Sequence, residues 1–207
     1  MAGKIDDLPL AWLTPPEWAE QALSDVVALL NDHAHLERKA ASNALSLLNQ
    51  WPDANPPDEW VNTLTLIAKD EAEHLAIVTR LLARRGGELS RLHKNRYAAD
   101  LRKEIRLGQG RDELVDRLLI SSLIELRSCE RFHLLSEHAP DAELAKLYKS
   151  LWASEHGHYK VFLRLANKVA APRRVRARWQ ELLEAEARIV RSQPPGPSMH
   201  SGIGQAS

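Results

Sequence analysis

The chain is poor in cysteine, the residue from which many metal and redox centres are built. Cys129 is the only cysteine among 207 residues. A single thiol excludes disulfides within the chain, zinc sites caged by several cysteines and iron–sulfur clusters held by this chain alone. Any metal ion bound here must rely on carboxylates and imidazoles. We interpret Cys129 itself as a small core residue.

Long apolar runs are missing as well. No stretch approaches the roughly 18 uncharged apolar residues of a membrane span, and the N-terminal residues 1–7 lack the apolar core of a signal peptide. The apolar fraction of 44% is nevertheless enough for a sizeable core. We therefore expect a soluble, cytoplasmic protein with one domain over residues 1–192 and no membrane partner.

The formal net charge of zero conceals an uneven distribution of charge. Residues 84–111 hold nine Lys or Arg against three acids, and residues 173–191 hold six Arg against three Glu. Such a polarised surface can attract an anionic partner. The candidate contact residues in the first segment are Arg84, Arg85, Arg91, Lys94, Arg96, Arg102, Lys103 and Arg106.

The helix signals begin early. Thr14 is placed as an N-cap, followed by two prolines and Glu17, so a helix is predicted from there with Val26 to Leu30 on its apolar face. After Asn31-Asp32, a second amphipathic helix is predicted to about Gln50. A third helix opens at Asp58-Glu59 and stops at Gly86-Gly87.

The second half of the chain repeats this arrangement. A helix is predicted from Asp112 to Ala139-Pro140, its partner from Asp141 to about Ala170, and an arginine-rich helix from Pro172 to about Arg191. No strand signal is present, and the tail 193–207 is predicted to be disordered. Two helix hairpins, about 32–85 and 112–170, joined by a long basic crossover predict an all-α, ferritin-like four-helix bundle with extra N- and C-terminal helices.

Two Glu-x-x-His steps lie on these predicted helices, Glu71 to His74 and Glu155 to His158. Residues three apart share one face of an α-helix, so each Glu/His pair can bind one ion from a single helix. Two such pairs with two further glutamates make the ligand set of a di-iron or di-manganese site.

Distance from the hairpin turns identifies the two further glutamates. Glu37 precedes Trp51 by as many residues as Glu71 follows Pro57, and Glu125 precedes Ala139 by as many as Glu155 follows Asp141. At 1.5 Å rise per residue, the members of each pair lie at equal height. Glu130 is the alternative to Glu125, but it would lie about 7–8 Å lower.

The predicted metal ligands are therefore Glu37, Glu71, His74, Glu125, Glu155 and His158. Four carboxylates and two imidazoles suit iron or manganese better than zinc, and they leave positions open for oxygen species. Asp70 could accept a hydrogen bond from a ligand histidine and orient its ring. His33, one turn from Glu37, could line the same pocket, although a helix-surface or core role is the simpler reading.

Four stretches of the sequence resemble the MiaE-type tRNA hydroxylases: residues 32–41, 69–74, 124–132 and 154–159. The Arg-Ser-Cys-Glu-Arg-Phe segment at 127–132 is the most specific of them. The resemblance implies a non-haem di-iron monooxygenase that uses O2 and external electrons, from a ferredoxin or reductase, to hydroxylate the isopentenyl group of 2-methylthio-N6-isopentenyladenosine. It also implies that the six ligands bind two iron ions and that tRNA, not DNA, is the nucleic-acid partner.

Three other functions are compatible with the same residues. A ferritin-like iron-oxidising or storage protein would use the same metal site, and so would a peroxide-reducing di-iron protein. A metal-free helical tRNA-binding module would use the glutamates and histidines only structurally. Iron content and nucleoside mass spectrometry distinguish these functions from the hydroxylase.

Overall fold

A computed structural model describes residues 5–204 of the chain. Seven α-helices are present in this part: α1 (Glu17–Ala22), α2 (Val26–Leu48), α3 (Asp58–Arg84), α4 (Arg96–Arg102), α5 (Arg111–His138), α6 (Ala142–Val169) and α7 (Pro172–Arg191). Short 3-10 helices occupy Ile5–Asp7 and Leu23–Asp25. Within residues 5–204 there is no β-strand, only an isolated bridge between Pro195 and Gly202. None of the helices in this range is long and apolar enough to cross a membrane.

The helices fall into two compact units, and one of them spans Asp25–Lys94. It is built from the hairpin of α2 and α3. Asp25 caps α2 by accepting a hydrogen bond from the Ala28 amide, and Pro57 precedes the acidic first turn of α3. Leu64, Ile67 and Leu81 recur at helical spacing on the buried side of α3.

The other unit combines the residues up to Ser24 with those from Asn95 onward. Its centre is the hairpin of α5 and α6, and Asp141 caps α6 through the Leu144 amide. Helix α5 is buried over most of its length, including several charged side chains, and it also contacts α1, α4 and α7. The prediction of a single domain over residues 1–192 stays a prediction.

The boundary predicted at Asn31-Asp32 is wrong, because α2 runs without interruption from Val26 to Leu48. Both residues use their polar side chains for contacts with the crossover. Asn31 accepts a hydrogen bond from the Ser90 amide at 2.8 Å, and Asp32 lies 2.6 Å from Nε2 of His93. Side chains that resemble helix caps in the sequence thus hold the start of the crossover on α2.

Thr14 is likewise not the N-cap of α1. Pro16 occupies the cap position and makes no side-chain cap. The Thr14 amide and hydroxyl both donate to the Glu130 carboxylate, at 2.6 and 2.7 Å. The residue therefore fixes the N-terminal segment to α5.

The prediction of disorder from Gln193 is wrong for residues 193–204. Met199 is fully buried, and His200 stacks on the ring of Tyr97 with a centroid distance of 4.4 Å. Ser201 accepts a hydrogen bond from the Trp18 indole, and its carbonyl accepts one from Arg131. This segment closes over α1, α4 and α5, while residues 205–207 lie outside the described range.

Candidate metal centre

In the unit formed by α2 and α3, three potential metal ligands meet. Glu37 on α2 and Glu71 and His74 on α3 offer ligand atoms that all lie within 4.8 Å of one another. Nδ1 of His74 is 3.5 Å from the Glu71 carboxylate and 3.7 Å from that of Glu37. All three side chains are buried. The equal heights predicted for Glu37 and Glu71 above the turn agree with this arrangement.

His33 supports Glu37 from one turn earlier in α2. Its Nε2 lies 2.5 Å from Oε1 of Glu37, and the imidazole is almost completely buried. Burial alone would raise the pKa of Glu37, but the hydrogen bond and electrostatic attraction of His33, with a smaller contribution from the nearby His74, outweigh it and lower the pKa well below its usual range. Glu37 is therefore ionised and held in place. The i,i+4 spacing of His33 and Glu37 indicated this contact, but the sequence did not distinguish it from a surface pair.

The unit containing α5 and α6 has a matching group. Glu125 on α5 and Glu155 and His158 on α6 offer ligand atoms within 4.8 Å of one another. Nδ1 of His158 lies 3.0 Å from the Glu155 carboxylate. These three side chains are also buried. Each hairpin thus brings two carboxylates and one imidazole together.

Glu130, the alternative to Glu125, has a different environment. It is fully buried and binds Thr14 and the guanidinium of Arg127. Arg127 in turn makes two hydrogen bonds to Glu186 on α7, at 2.8 and 2.7 Å. A carboxylate already neutralised by arginine is a poor metal ligand, so the structure favours Glu125.

The chemistry of the two donor sets fits a cation. Two carboxylates buried within 4.8 Å of each other repel strongly in a medium of low dielectric constant when both are ionised. A divalent cation compensates this repulsion, and oxygen donors with one imidazole are the ligands that iron and manganese prefer. The residues in each unit therefore suit one such ion.

Two other residues predicted near the site have clear positions. Asp70 is half-buried on α3 directly before Glu71, and its role in orienting a ligand histidine stays a prediction. Cys129 is fully buried, with Sγ 3.8 Å from the Trp152 carbonyl. Burial, together with the nearby Glu155 and Glu130, raises the pKa of this thiol to about 12. Cys129 is thus an unreactive core residue.

The basic residues predicted to meet an anionic partner run along the chain from the end of α3, through α4, to the loop before α5. Most are exposed: Arg84, Arg91, Lys94, Arg96, Arg102 and Lys103. Arg85 is half-buried. Arg106 differs from the rest because it makes two hydrogen bonds of 2.8 Å to Asp116. The charge of Arg106 is therefore largely balanced within the protein.

Comparisons with known proteins agree on one group of relatives. The family model described as tRNA-(MS2IO6A)-hydroxylase (MiaE) matches residues 5–201. The tRNA 2-(methylsulfanyl)-N(6)-isopentenyladenosine(37) hydroxylase of Pseudomonas putida is 40% identical over 194 residues, covering 93% of this chain and 92% of the relative. The enzyme of the same name from Salmonella typhimurium is 28% identical over 236 residues, covering 92% and 86%.

A solved structure shows the same fold. Protein 43 from Synechococcus, which has aldehyde deformylating oxygenase activity, matches with a TM-score of 0.85 and 34% identity. The match covers 96% of this chain and 98% of that protein. The prediction of an all-α, ferritin-like fold is confirmed.

Proposed function

Because this chain belongs to the MiaE family of tRNA hydroxylases, we propose that it hydroxylates the isopentenyl group of 2-methylthio-N6-isopentenyladenosine beside the anticodon of tRNA. The family match over residues 5–201 is the observation that carries this proposal. The two buried Glu/Glu/His groups are the independent physical support. The protein would act in the cytoplasm, where tRNA takes part in translation.

The six residues Glu37, Glu71, His74, Glu125, Glu155 and His158 would hold two iron ions. Bound iron would supply the activation of O2 and the oxidation of an unactivated C–H bond, which no amino-acid side chain can perform. The carboxylates would offset the metal charge, the histidines would fill one position on each ion, and burial would exclude water. The hydrogen bond from His33 would keep Glu37 ionised and hold its carboxylate in the orientation needed to bind iron.

Hydroxylation with O2 requires electrons from outside. Insertion of one oxygen atom into a C–H bond, with the other released as water, consumes two electrons and two protons beyond those of the substrate. The donor would be a separate redox protein such as a ferredoxin with its reductase. The single cysteine of this chain cannot itself hold an iron–sulfur cluster.

The basic crossover would bind the tRNA backbone. Seven of the predicted contact residues would reach phosphates, whereas Arg106 is committed to Asp116. A modified base in the anticodon loop can be splayed out without breaking a duplex. Binding should therefore weaken steeply as salt concentration rises.

The decisive experiment is nucleoside mass spectrometry. Undermodified tRNA is incubated with the iron-loaded protein, O2 and a reductant, and we expect the isopentenyl nucleoside to gain the mass of one oxygen atom. Glu71→Ala, Glu125→Ala and His158→Ala should abolish this product and lower the bound iron below two per chain. Glu73→Ala, an exposed glutamate two residues from Glu71, is the matched control and should behave like the wild type.

A protein that binds and oxidises iron but leaves the nucleoside unchanged would be an iron-oxidising or peroxide-reducing relative instead. Full hydroxylation by Glu125→Ala would show that the fourth carboxylate is assigned wrongly. Unchanged activity in all three ligand variants would support a metal-free role for these side chains.

A further inference from the structure

The outward side of α6 carries a row of positive charge. This helix contains five Lys or Arg residues against two glutamates, and one of these, Glu155, is buried. All five cations are exposed, and the steps of three, eleven, four and four residues between them keep them on one face of the helix. We name this the α6 outer face, defined by Lys146, Lys149, Ala153, Gly157, Lys160, Arg164 and Lys168.

The middle of the α6 outer face is flat. Ala153 and Gly157 are both exposed, and a Cβ atom added to Gly157 would meet nothing within 4 Å. Two lysines precede this flat centre and three cations follow it. A partner could therefore approach the helix backbone closely at the centre while its acidic groups meet cations at both ends.

The α6 outer face lies across the helix from Glu155, one of the candidate metal ligands. Glu155 is two residues from both Ala153 and Gly157, which places it about 160° round the helix from them. The separation is therefore about one helix diameter, roughly 10–12 Å. A redox partner docked on the α6 outer face could transfer an electron to the metal site over that distance. The substrate differs, because its methyl group must enter the metal site itself.

Aromatic side chains occupy the shoulder of α6 between these two faces. The ring centroids of Trp152 and His156 are 6.5 Å apart, and those of His156 and Tyr159 are 5.6 Å apart. Lys160 of the outer face donates to Nε2 of His156 at 2.6 Å. The rings of Trp152, His156 and Tyr159 therefore lie between Lys160 at the surface and the helical turn that carries Glu155 and His158.

We propose that the α6 outer face is the docking surface for an acidic one-electron carrier protein. This inference rests on the proposed function, which requires two external electrons for each hydroxylation. Two reduced carriers would each dock and lose one electron, while O2 and two protons complete the balance to one alcohol and one water. The face is about 33 Å long, from the rise per residue between Lys146 and Lys168, and such a narrow strip suits the small interfaces typical of transient electron-transfer pairs.

The test uses a plant-type [2Fe–2S] ferredoxin as the acidic probe. Lys149→Glu/Lys160→Glu changes the charge of the face by four units, and Arg80→Glu/Arg188→Glu makes the same change at exposed sites on α3 and α7. Each iron-loaded protein is titrated with ferredoxin by calorimetry at low and high salt, and with tRNA by fluorescence anisotropy. Circular dichroism checks that each variant is folded.

We expect the α6 variant to bind ferredoxin at least about tenfold more weakly at low salt, because rim charges mainly govern encounter and its salt dependence. The control variant should bind as the wild type does. Hydroxylation driven by dithionite should be unchanged in the α6 variant, while hydroxylation driven by reduced ferredoxin should fall.

Three results would overturn the proposal: no binding of ferredoxin to the wild type, equal weakening in both variants, or loss of tRNA binding in the α6 variant alone. The last result would assign the face to RNA. The proposed function is tested separately, since a wild-type protein that forms no hydroxylated nucleoside with dithionite refutes it whatever the ferredoxin titration shows.

Discussion

At the scale of single residues, two glutamates on α5 show how environment determines role. Glu125 lies with Glu155 and His158, whereas Glu130, five residues later, lies with Thr14 and Arg127. Glu125 lies in an acidic group whose negative charge a metal cation would compensate. Glu130 is already paired with a cation of the protein itself, the guanidinium of Arg127.

Exchanging each of these glutamates for glutamine should therefore have opposite effects. Glu125→Gln should lower bound iron while leaving the apoprotein about as stable as the wild type, because it removes charge from a crowded acidic group. Glu130→Gln should retain iron but cost about 3–5 kcal/mol, because it leaves the buried Arg127 less compensated. Metal analysis and urea unfolding measure the two effects, and a stable Glu130→Gln protein would contradict the assignment.

Asp116 predicts a specific dependence of stability on pH. Burial would raise the pKa of this carboxyl, but hydrogen bonds from Arg106 and Arg178 outweigh it and lower the pKa. Because the pKa of Asp116 is lower in the folded protein than in the unfolded one, its carboxylate stabilises the fold fully above the unfolded-state pKa of about 3.9. This stabilisation is lost as the pH falls through the lower folded-state pKa. The destabilisation caused by Asp116→Asn should therefore be largest at neutral pH and shrink below about pH 4.

Urea unfolding of the wild type and Asp116→Asn between pH 7 and pH 3 measures this difference. A gap in unfolding free energy that stayed constant down to pH 3 would mean that the charge of Asp116 contributes little. Asp100→Asn, which removes an exposed ion pair with Lys103, is the comparison and should change stability by less than about 1 kcal/mol.

At the scale of elements, the helices follow local signals wherever the polar residues act locally. Asp141 precedes α6 and caps it, and prolines separate α2 from α3, as the sequence predicts. Equally good capping signals occur at Asn31, Asp32 and Thr14. Their side chains, however, form hydrogen bonds with residues far away in sequence instead of capping a helix. Local propensity cannot anticipate such contacts, because it contains no information about what lies opposite.

The cap of α6 is itself testable. Asp141→Ala removes the acceptor for the Leu144 amide and should cost about 1 kcal/mol of unfolding free energy. Asp141→Asn retains an acceptor and should cost less. Chemical denaturation compares the three proteins, and equal stability of all three would show that water replaces the cap without loss.

At the scale of the whole molecule, the C-terminal segment is a structural part of the unit that it covers. Pro, Ser and Gly make residues 193–204 resemble a flexible tail, but Met199 is fully buried and Ser201 bonds to both Trp18 and Arg131. A few well-placed contacts suffice to order a segment of low hydrophobicity when a preformed surface receives it.

Truncation after Ser192 should therefore destabilise the protein. Loss of the buried Met199 alone is worth about 1.5–3 kcal/mol, and such a change lowers Tm by roughly 3–12 °C in a chain of this size. The untruncated protein is the reference. Calorimetry measures both, and an unchanged Tm in the shorter protein would restore the prediction of disorder.

The sequence by itself determined the all-α class, the two hairpins and the position of each Glu-x-x-His pair, because helical period and turn residues act over a few positions along the chain. It also favoured Glu37 and Glu125, since the rise per residue converts distance from a turn into height. Only the tertiary structure decided the roles of Glu130, Thr14, Arg106 and the C-terminal segment. The partners of Thr14 and of the C-terminal segment lie far away in sequence. For Glu130 and Arg106 the partners are nearer along the chain, but only the folded structure shows whether a charge pairs with an opposite charge or remains available to a metal ion.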